Sequence, residues 1–504
     1  MVDLQDQHVL VLGLGASGLS MARWCVRQGA RVTVADTRVQ PPQLAALRAQ
    51  VPQADFVHTA FSAALVDGTS VRAVFASPGL SPAQTQATLD AARAAGLWVG
   101  SELALFAQAL VDLRQQARYE PTVLAVTGTN GKTTVTALTG HLVRWAGKTA
   151  AVAGNIGPPL LETLLQALDD AALPQFWVLE LSSFQLDLPC AFEPTAATVL
   201  NVTQDHLDWH GSLQNYAQAK SRIFGGGLMV LNRDDPQVMA MLPAPTRNRQ
   251  QRPVARDYLA YGTDLPQRPG DFGLEEVHGM CWLVRALPSE EARQGRAPQA
   301  QELHIQRLIP ADALRIRGRH NACNALAALA LCAAAGLPLG PILFGLREYR
   351  GEPHRVQSIG ILHGIEYFDD SKGTNVGATV AALHGLGSDR RLVVILGGEG
   401  KGQDFAPLAA PVARYARAAV LIGRDAALIG QAIAPAQVPL LDAHGMDEAV
   451  NQATRLARPG DAVLLSPACA SFDMFEDYAH RARAFVAAVQ ALALASGVEL
   501  ELTA

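Results

Sequence analysis

The sequence predicts an α/β protein of three domains, and three observations carry that expectation. The chain has 504 residues, too many for one hydrophobic core; at roughly 150 residues per domain it holds about three. Short apolar runs at 8–12, 31–35, 71–76, 122–127, 176–181, 197–202, 392–396, 418–422 and 462–466 are continuous rather than alternating. That is the pattern of strands covered by helices on both faces. Between them lie Ala-, Leu- and Gln-rich helical stretches, and strand–helix alternation gives parallel sheets.

The polar stretch 114–120 closes a first block, a second runs from 121 to about 345, and a third opens near 351–353. The domains are therefore expected at 1–118, 119–347 and 348–504. Residues 266–310 are polar, and 288–301 read as an exposed loop or hairpin insertion without a catalytic signal.

Composition excludes several functions. Hydrophobic residues make up 49% and charged residues 17%, which supports folded cores. The balance of 41 basic against 46 acidic residues, a net charge of -5, argues against a nucleic-acid or anionic-membrane binder. Any anionic ligand must be met by locally placed cations and backbone N–H groups. The cysteines (Cys25, Cys190, Cys281, Cys323, Cys332, Cys469) form no CxxC pair. A disulfide framework or a thiolate zinc site is not expected, and free thiols suit a reducing cytosol. The N-terminus carries Asp3 and Asp6 and no early Lys or Arg, a poor signal peptide. The nearly apolar stretch 325–337 is too short to span a bilayer. A cytoplasmic protein without membrane insertion is expected.

The first run leads into Gly13-Leu14-Gly15-Ala16-Ser17-Gly18 and a helical stretch. This is GxGxxG in strand–turn–helix context, which makes the first domain Rossmann-like. Its amides and helix N-terminus suit a phosphate. Asp36 ends the next strand, near where a ribose-binding acid belongs. The residues leave open a nicotinamide, a flavin, another nucleotide, or a tight turn that binds nothing.

The second loop is more specific. Gly128-Thr129-Asn130-Gly131-Lys132-Thr133-Thr134 follows a strand and opens a helix. It has the logic of a P-loop: amides cradle phosphates, Lys132 neutralises β/γ oxygens, and the Thr133 hydroxyl serves Mg²⁺. It is a shortened variant, with Val at 126 and the first glycine at 128. An apolar strand ending in Glu180 supplies the metal-binding acid such a loop needs, followed by Leu181-Ser182-Ser183-Phe184-Gln185. After a further strand, Asn201-Val202-Thr203-Gln204-Asp205-His206-Leu207-Asp208 offers metal or substrate contacts. Lys220, one turn after Tyr216, reads from spacing alone as a solvated lysine.

In the third block, Asp369-Asp370-Ser371-Lys372-Gly373-Thr374-Asn375 makes Lys372 either a carboxylate clamp or part of a solvated turn. Residues 397–402, Gly-Gly-Glu-Gly-Lys-Gly, are an anion loop or a flexible turn. Ser466-Pro467-Ala468-Cys469-Ala470-Ser471-Phe472 follows a strand, where α/β sheets gather ligands. Cys469 has no activating neighbour.

Taken together and in this order, these strings resemble the Mur ligases of peptidoglycan synthesis. The resemblance spans all three blocks and includes Gly318-Arg319-His320-Asn321-Ala322-Cys323-Asn324, similar to the family's asparagine-bearing helix start. Strings 370–375 and 466–472 are similar to those of the member that adds D-glutamate. Departures are Gly373 where Ala is frequent, Ala482 where Gly is frequent, and Glu352 where Leu is usual.

The resemblance implies an ATP-dependent ligase joining D-glutamate to UDP-N-acetylmuramoyl-L-alanine through an acyl phosphate, with ATP as co-substrate and two Mg²⁺. It also implies a Rossmann-like third domain and a monomer. It assigns the first loop to uridine diphosphate: Gly13, Gly15, Ala16, Ser17, Gly18, Asp36, Thr37, Arg38, Ser77, Gly79, Asn155, Ser182, Gln185 and His206. Lys132, Glu180, His206 and Lys220 become catalytic, with Thr133, Glu180, His206 and a CO₂-carbamylated Lys220 on metal. Gly128 to Thr134, Asn321, Asn324, Arg355 and Asp370 go to ATP. Lys372, Thr374, Ser471, Phe472 and Tyr478 go to D-glutamate. A folylpolyglutamate-type ligase or another Mur member is the alternative. The N-terminal GxGxxG block argues against the first and the third-block strings against the second. A dehydrogenase has no use for Lys132, and a non-catalytic nucleotide-binding regulator is the bland reading.

Overall fold

The computed structural model describes residues 4–247, 253–288, 303–387 and 390–501. It shows three α/β domains, each built on its own sheet. The chain packs as two compact units: Met1–Val202 with His206–Tyr261 and Ala327–Phe344, and Thr203–Asp205 with Gly262–Leu326 and Gly345–Ala504.

The first unit holds two parallel sheets. One has the order Asp55–His58, Arg31–Asp36, His8–Leu12, Val71–Ala76, Trp98–Gly100, all parallel. This is the doubly wound arrangement, with the glycine loop at the carboxyl end of the central strand. Val9 and Val11 enter one apolar cluster and Leu10 and Leu12 another. Period-two alternation with both faces buried is what a continuous apolar run encodes. The second sheet runs Tyr258–Tyr261, Leu228–Asn232, Ala196–Val199, Thr122–Thr127, Phe176–Glu180, Ala150–Gly154. Its strands are parallel and it shares the first cluster with the first sheet.

The second unit carries an antiparallel meander, Phe272–Val277, Met280–Pro288 and Leu303–Pro310. It also carries a six-stranded sheet ordered Gln357–Leu362, Ile365–Asp369, Ala462–Leu465, Leu392–Gly397, Ala416–Ile422, Leu440–Ala443. Its first pair is antiparallel and the rest parallel. Its two faces are covered by separate clusters.

All the strands expected from the sequence are present, with ends shifted by a few residues. The meander was not expected within the polar stretch 266–310. The loop or hairpin expected at 288–301 lies outside the described residues save Pro288, which pairs with Leu303. Among the described residues, no helix is long and apolar enough to cross a membrane.

Candidate functional site

The first loop is held by its own side chains. Gly13 takes φ +84°, a conformation that favours glycine, and its N–H donates to Ala35 O at 2.8 Å. A Cβ at Gly18 would meet Gly13 O at 2.0 Å, so the helix Ala16–Arg27 can start this close to the strand only with glycine there. The Ser77 hydroxyl donates to Gly13 O at 3.0 Å. Gly15 and Gly79 face open space. Ala16, Thr37 and Arg38 are exposed and Ser17 is half-buried.

Asp36, at the end of the second strand, turns its carboxylate into the loop. It is buried and accepts from Leu14 N at 2.7 Å and from Arg38 N, Nε and Nη2 at 2.9, 2.9 and 2.7 Å. Burial alone would raise its pKa. The Arg38 and Leu14 hydrogen bonds outweigh it and hold the carboxyl at about 2. A depressed carboxyl stabilises the fold above its unfolded pKa of about 3.9 and loses that contribution as pH falls through the folded value. Asp36→Asn should lower stability at pH 7 by about 1–2 kcal/mol, discounted because Arg38 is half exposed. Urea midpoints of the two proteins should converge as pH falls from about 4 toward 2; a constant gap would contradict the role.

The P-loop joins strand Thr122–Thr127 to helix Lys132–Trp145, with Gly131 at φ +83° as its N-cap. Asn201 clamps it. Thr129 N–H donates to Asn201 O (2.9 Å), Asn130 N–H to Asn201 Oδ1 (2.8 Å), and Asn201 Nδ2 to Asn130 O (3.1 Å). Asn201 was visible only as the start of a longer string, and no site role was read for it. Lys132 Nζ donates to Gly128 O and Thr129 O, both at 2.9 Å.

Two more groups reach this loop. Glu180 ends the strand paired with Thr122–Thr127, opposite Val126. It is 1% exposed. Its Oε1 accepts from Asn155 Nδ2 at 2.7 Å, and its Oε2 is buried with no partner. A buried unpaired carboxylate oxygen is costly and suits a cation. Asn155, expected at a diphosphate, donates its amide to Glu180.

Lys220 is not the solvated lysine its spacing suggested. It is 1% exposed, donates to Gly128 O at 2.8 Å and Thr127 Oγ1 at 3.5 Å, and lies 4.4 Å over the Tyr216 ring. The Tyr216 hydroxyl in turn donates to Thr129 Oγ1 at 3.3 Å. Two lysines thus share the Gly128 carbonyl.

His206 is exposed, at φ +53°, with its ring 4.6 Å from Phe184 and 6.3 Å from Tyr216. The neighbouring His210, which sequence reasoning missed, is buried, 3.0 Å from Ser183 Oγ, and burial lowers its pKa. Ser182 and Gln185 satisfy each other: Ser182 N and Oγ donate to Gln185 Oε1 at 3.0 and 3.1 Å.

Among the described residues, no three His, Cys, Asp or Glu side chains form a metal-binding group. Glu180 alone gives too few oxygens. A carboxylate carried on Lys220 would supply the missing ones beside the P-loop, so the residues fit Mg²⁺ with that modification.

In the second unit, Asn321 and Asn324 form a pair on helix Arg319–Ala334, Asn324 Nδ2 donating to Asn321 Oδ1 at 3.1 Å. Asp370 is buried, accepting from Ser466 Oγ at 2.7 Å and Val356 N at 3.3 Å. Burial pushes its carboxyl up to about 7, against the Ser466 hydrogen bond and the Arg355 charge. A Cβ at Gly373 would come within 2.7 Å of Asp370 Oδ2, which accounts for glycine there.

Lys372 Nζ lies 3.7 Å over the Tyr478 ring, so these two are brought together. Thr374 N–H donates to Lys372 O at 2.9 Å. Ser471 is buried, while Phe472 is exposed with Lys401 5.4 Å over its ring. The 397–402 loop resolves toward a structural turn, because Gly400 N–H donates to the Asp425 carboxylate at 2.6 Å.

Arg481 escaped the sequence reading. It is 1% exposed and donates to Ser371 Oγ (3.0 Å), Ser371 O (2.8 Å), Cys469 O (3.0 Å) and Ala470 O (3.4 Å). It therefore ties loop 370–375 to loop 466–472. Burial lowers its pKa to about 10, so it remains a cation at neutral pH.

Family models match three stretches of the chain: a Mur ligase MurD-like N-terminal domain at 7–101, a Mur ligase middle domain at 126–252, and a Mur ligase glutamate ligase domain at 354–469. The protein named UDP-N-acetylmuramoylalanine--D-glutamate ligase in Albidiferax ferrireducens is 65% identical, covering 99% of each chain. Its namesake in Polaromonas sp. is 55% identical over 99% of this chain and 100% of its own. Among solved structures, UDP-N-acetylmuramate-alanine ligase from Thermotoga maritima matches with a TM-score of 0.53 at 19% identity, over 96% and 99% of the chains. The MurF ligase of the same organism, in complex with ADP, gives 0.57 at 15% over 97% and 98%. These structural likenesses are of fold. The three domain matches and the full-length relatives establish that the chain belongs to the Mur ligase family.

Proposed function

We propose that this chain is the ligase that adds D-glutamate to UDP-N-acetylmuramoyl-L-alanine, using ATP, in the cytoplasmic synthesis of peptidoglycan precursors. The observation that carries the reading is the cluster around the P-loop. Lys132 and a buried Lys220 meet one carbonyl there, beside Glu180 with an unpaired oxygen. The names of relatives 55–65% identical along the whole chain supply the substrates. The domains divide at 118/119 and 347/348, into uridine-substrate, ATP and D-glutamate domains, and the protein works as a monomer.

A carboxylate is a poor electrophile. Transfer of the ATP γ-phosphoryl group to the substrate carboxylate makes an acyl phosphate and releases ADP. The D-glutamate amine attacks its carbonyl, loses a proton, and phosphate leaves as the amide forms. Lys132 and the loop amides stabilise charge on the moving phosphoryl group. Glu180, His206, Thr133 and carbamylated Lys220 would hold Mg²⁺, which supplies charge neutralisation at the phosphate oxygens.

Gly13, Gly15, Ala16, Ser17 and Gly18 receive the uridine diphosphate, with Asp36 acting through Arg38 and the Leu14 amide. Thr37, Ser77, Gly79, Asn155, Ser182 and Gln185 complete that side. Asn321, Asn324, Arg355 and Asp370 serve the adenine nucleotide. Lys372, Thr374, Ser471, Phe472 and Tyr478 meet the D-glutamate carboxylates, and Arg481 adds a fixed positive charge behind both loops.

The acceptor tests this. With UDP-N-acetylmuramoyl-L-alanine and ATP, D-glutamate should raise ADP release well above L-glutamate, L-lysine or meso-diaminopimelate, because the loops present cations to a dicarboxylate. Preference for a diamino acid would assign the chain to another member of the family.

A further inference from the structure

Glu102 opens helix Glu102–Ala117, just after the last strand of the first sheet. It is 1% exposed. Its Oε1 accepts from Ser20 Oγ at 3.0 Å and from Leu161 N at 3.1 Å, and its Oε2 is buried without a partner. Ser20 lies on the helix that begins at the first glycine loop, Ala16–Arg27. Leu161 lies in the first turn of helix Leu160–Asp169, which follows the second-sheet strand Ala150–Gly154. One side chain therefore joins a helix of the first sheet to a helix of the second. Arg23–Glu162 and Arg27–Asp169 ion pairs join the same two helices at the surface, where such pairs contribute little.

Both helices carry loops of the proposed site. Ser20 Oγ also lies 2.9 Å from the carbonyl of Ser17, inside the first glycine loop. The segment between Gly154 and Leu160 holds Asn155, whose amide reaches Glu180. We propose that Glu102 is a positioning residue: it fixes the first glycine loop relative to the Glu180 side of the phosphate loop, so that the substrate carboxylate meets the γ-phosphoryl group. The inference rests on the ligase reading.

The chemistry of the tie says what can replace it. A hydroxyl has one proton, and Ser20 Oγ has two acceptors in reach. When that proton goes to Ser17 O, Glu102 must be the donor, which requires a protonated carboxyl. Burial raises the Glu102 pKa, in that direction. A neutral glutamine has the same shape and keeps an oxygen that can accept from both Leu161 N–H and the Ser20 hydroxyl. Alanine leaves Leu161 N–H without its acceptor and opens a cavity.

Reactive-group placement is worth orders of magnitude in rate; a displacement of about 1 Å costs on the order of 10²-fold. In Glu102→Ala, kcat at saturating substrates should fall about 10- to 100-fold. The Kd values of ADP and of UDP, titrated separately, should stay within about twofold. Glu102→Gln should restore kcat. Should Glu102→Ala fail to fold, Ser20→Ala removes the bridging hydroxyl and should show the same split. Wild-type kcat in the alanine variant that folds, loss of nucleotide binding in parallel with kcat, or a glutamine variant as impaired as alanine would each overturn the proposal. Absence of amide product from the wild type would instead overturn the ligase reading beneath it.

Discussion

Lys220→Ala should leave a folded protein with almost no ligase activity, and acetate or formate at high concentration should return part of the rate. Lys220 and Lys132 both donate to Gly128 O, at 2.8 and 2.9 Å. As two ammonium groups they repel, by about 3 kcal/mol at 5 Å and an effective dielectric of 20. Carbamylation of Lys220 reverses the sign of one partner. Repulsion becomes attraction, and oxygens appear at Gly128, just past the strand that pairs with the one ending in Glu180, whose Oε2 is unpaired.

The alanine variant loses those oxygens. Losing a charge stabiliser that acts throughout phosphoryl transfer costs roughly 3–4 kcal/mol, or about 10²–10³ in rate, and a metal ligand is a stronger case. The fold should survive because Gly128 O keeps Lys132 as a donor. A small carboxylate can enter the vacated space and replace the carbamate, whereas chloride at equal ionic strength cannot. Intact mass under bicarbonate should show the added carboxylate on the wild type. Full activity in Lys220→Ala would remove the carbamate from the mechanism.

Lys132→Ala should lower kcat by about 10²–10³, equivalent to ~3–4 kcal/mol, with little change in melting temperature. Its ammonium accepts nothing and packs no core; it stands over the carbonyls of Gly128 and Thr129. The loop itself is fixed by other bonds, those of Asn201 to Thr129 and Asn130. Removing Lys132 therefore subtracts charge at the phosphates and leaves the cradle. Steady-state kinetics beside calorimetry checks both halves. A variant with near-normal turnover would exclude Lys132 from phosphoryl transfer, and a large drop in melting temperature would make the residue structural.

Much of this was legible because it is local. The strands feeding both glycine loops read directly from unbroken apolar runs, and Gly131-Lys132-Thr133 at a strand end leaves few alternatives. What was not legible depends on partners distant in sequence. Helix Leu213–Ser221 carries Lys220 on a face with little local signal, and only packing against the P-loop shows that the amine is buried.

The 397–402 loop offered glycines that fit an anion equally well. The deciding group, Asp425, comes from beyond the next strand. Arg481 looks like any helical arginine until two loops almost a hundred positions apart close over it. The meander hid in residues 266–310 because its strands are only part-buried and so lack the continuous apolar run of a strand covered on both faces. Asp36 ends its strand as the sequence shows, but its hydrogen bonds to Leu14 and Arg38 come from the folded loop and could not be read from the sequence.

The most direct test of the account follows oxygen. Wild-type protein would be given UDP-N-acetylmuramoyl-L-alanine labelled with ¹⁸O in the alanyl carboxylate, together with ATP, Mg²⁺ and D-glutamate. If the carboxylate is phosphorylated and then displaced by the amine, each phosphate released carries one labelled oxygen. Mass spectrometry of the nucleotide product then shows one glutamate joined through an amide that retains the other. Unlabelled phosphate, or ADP release without the glutamyl product, would contradict it.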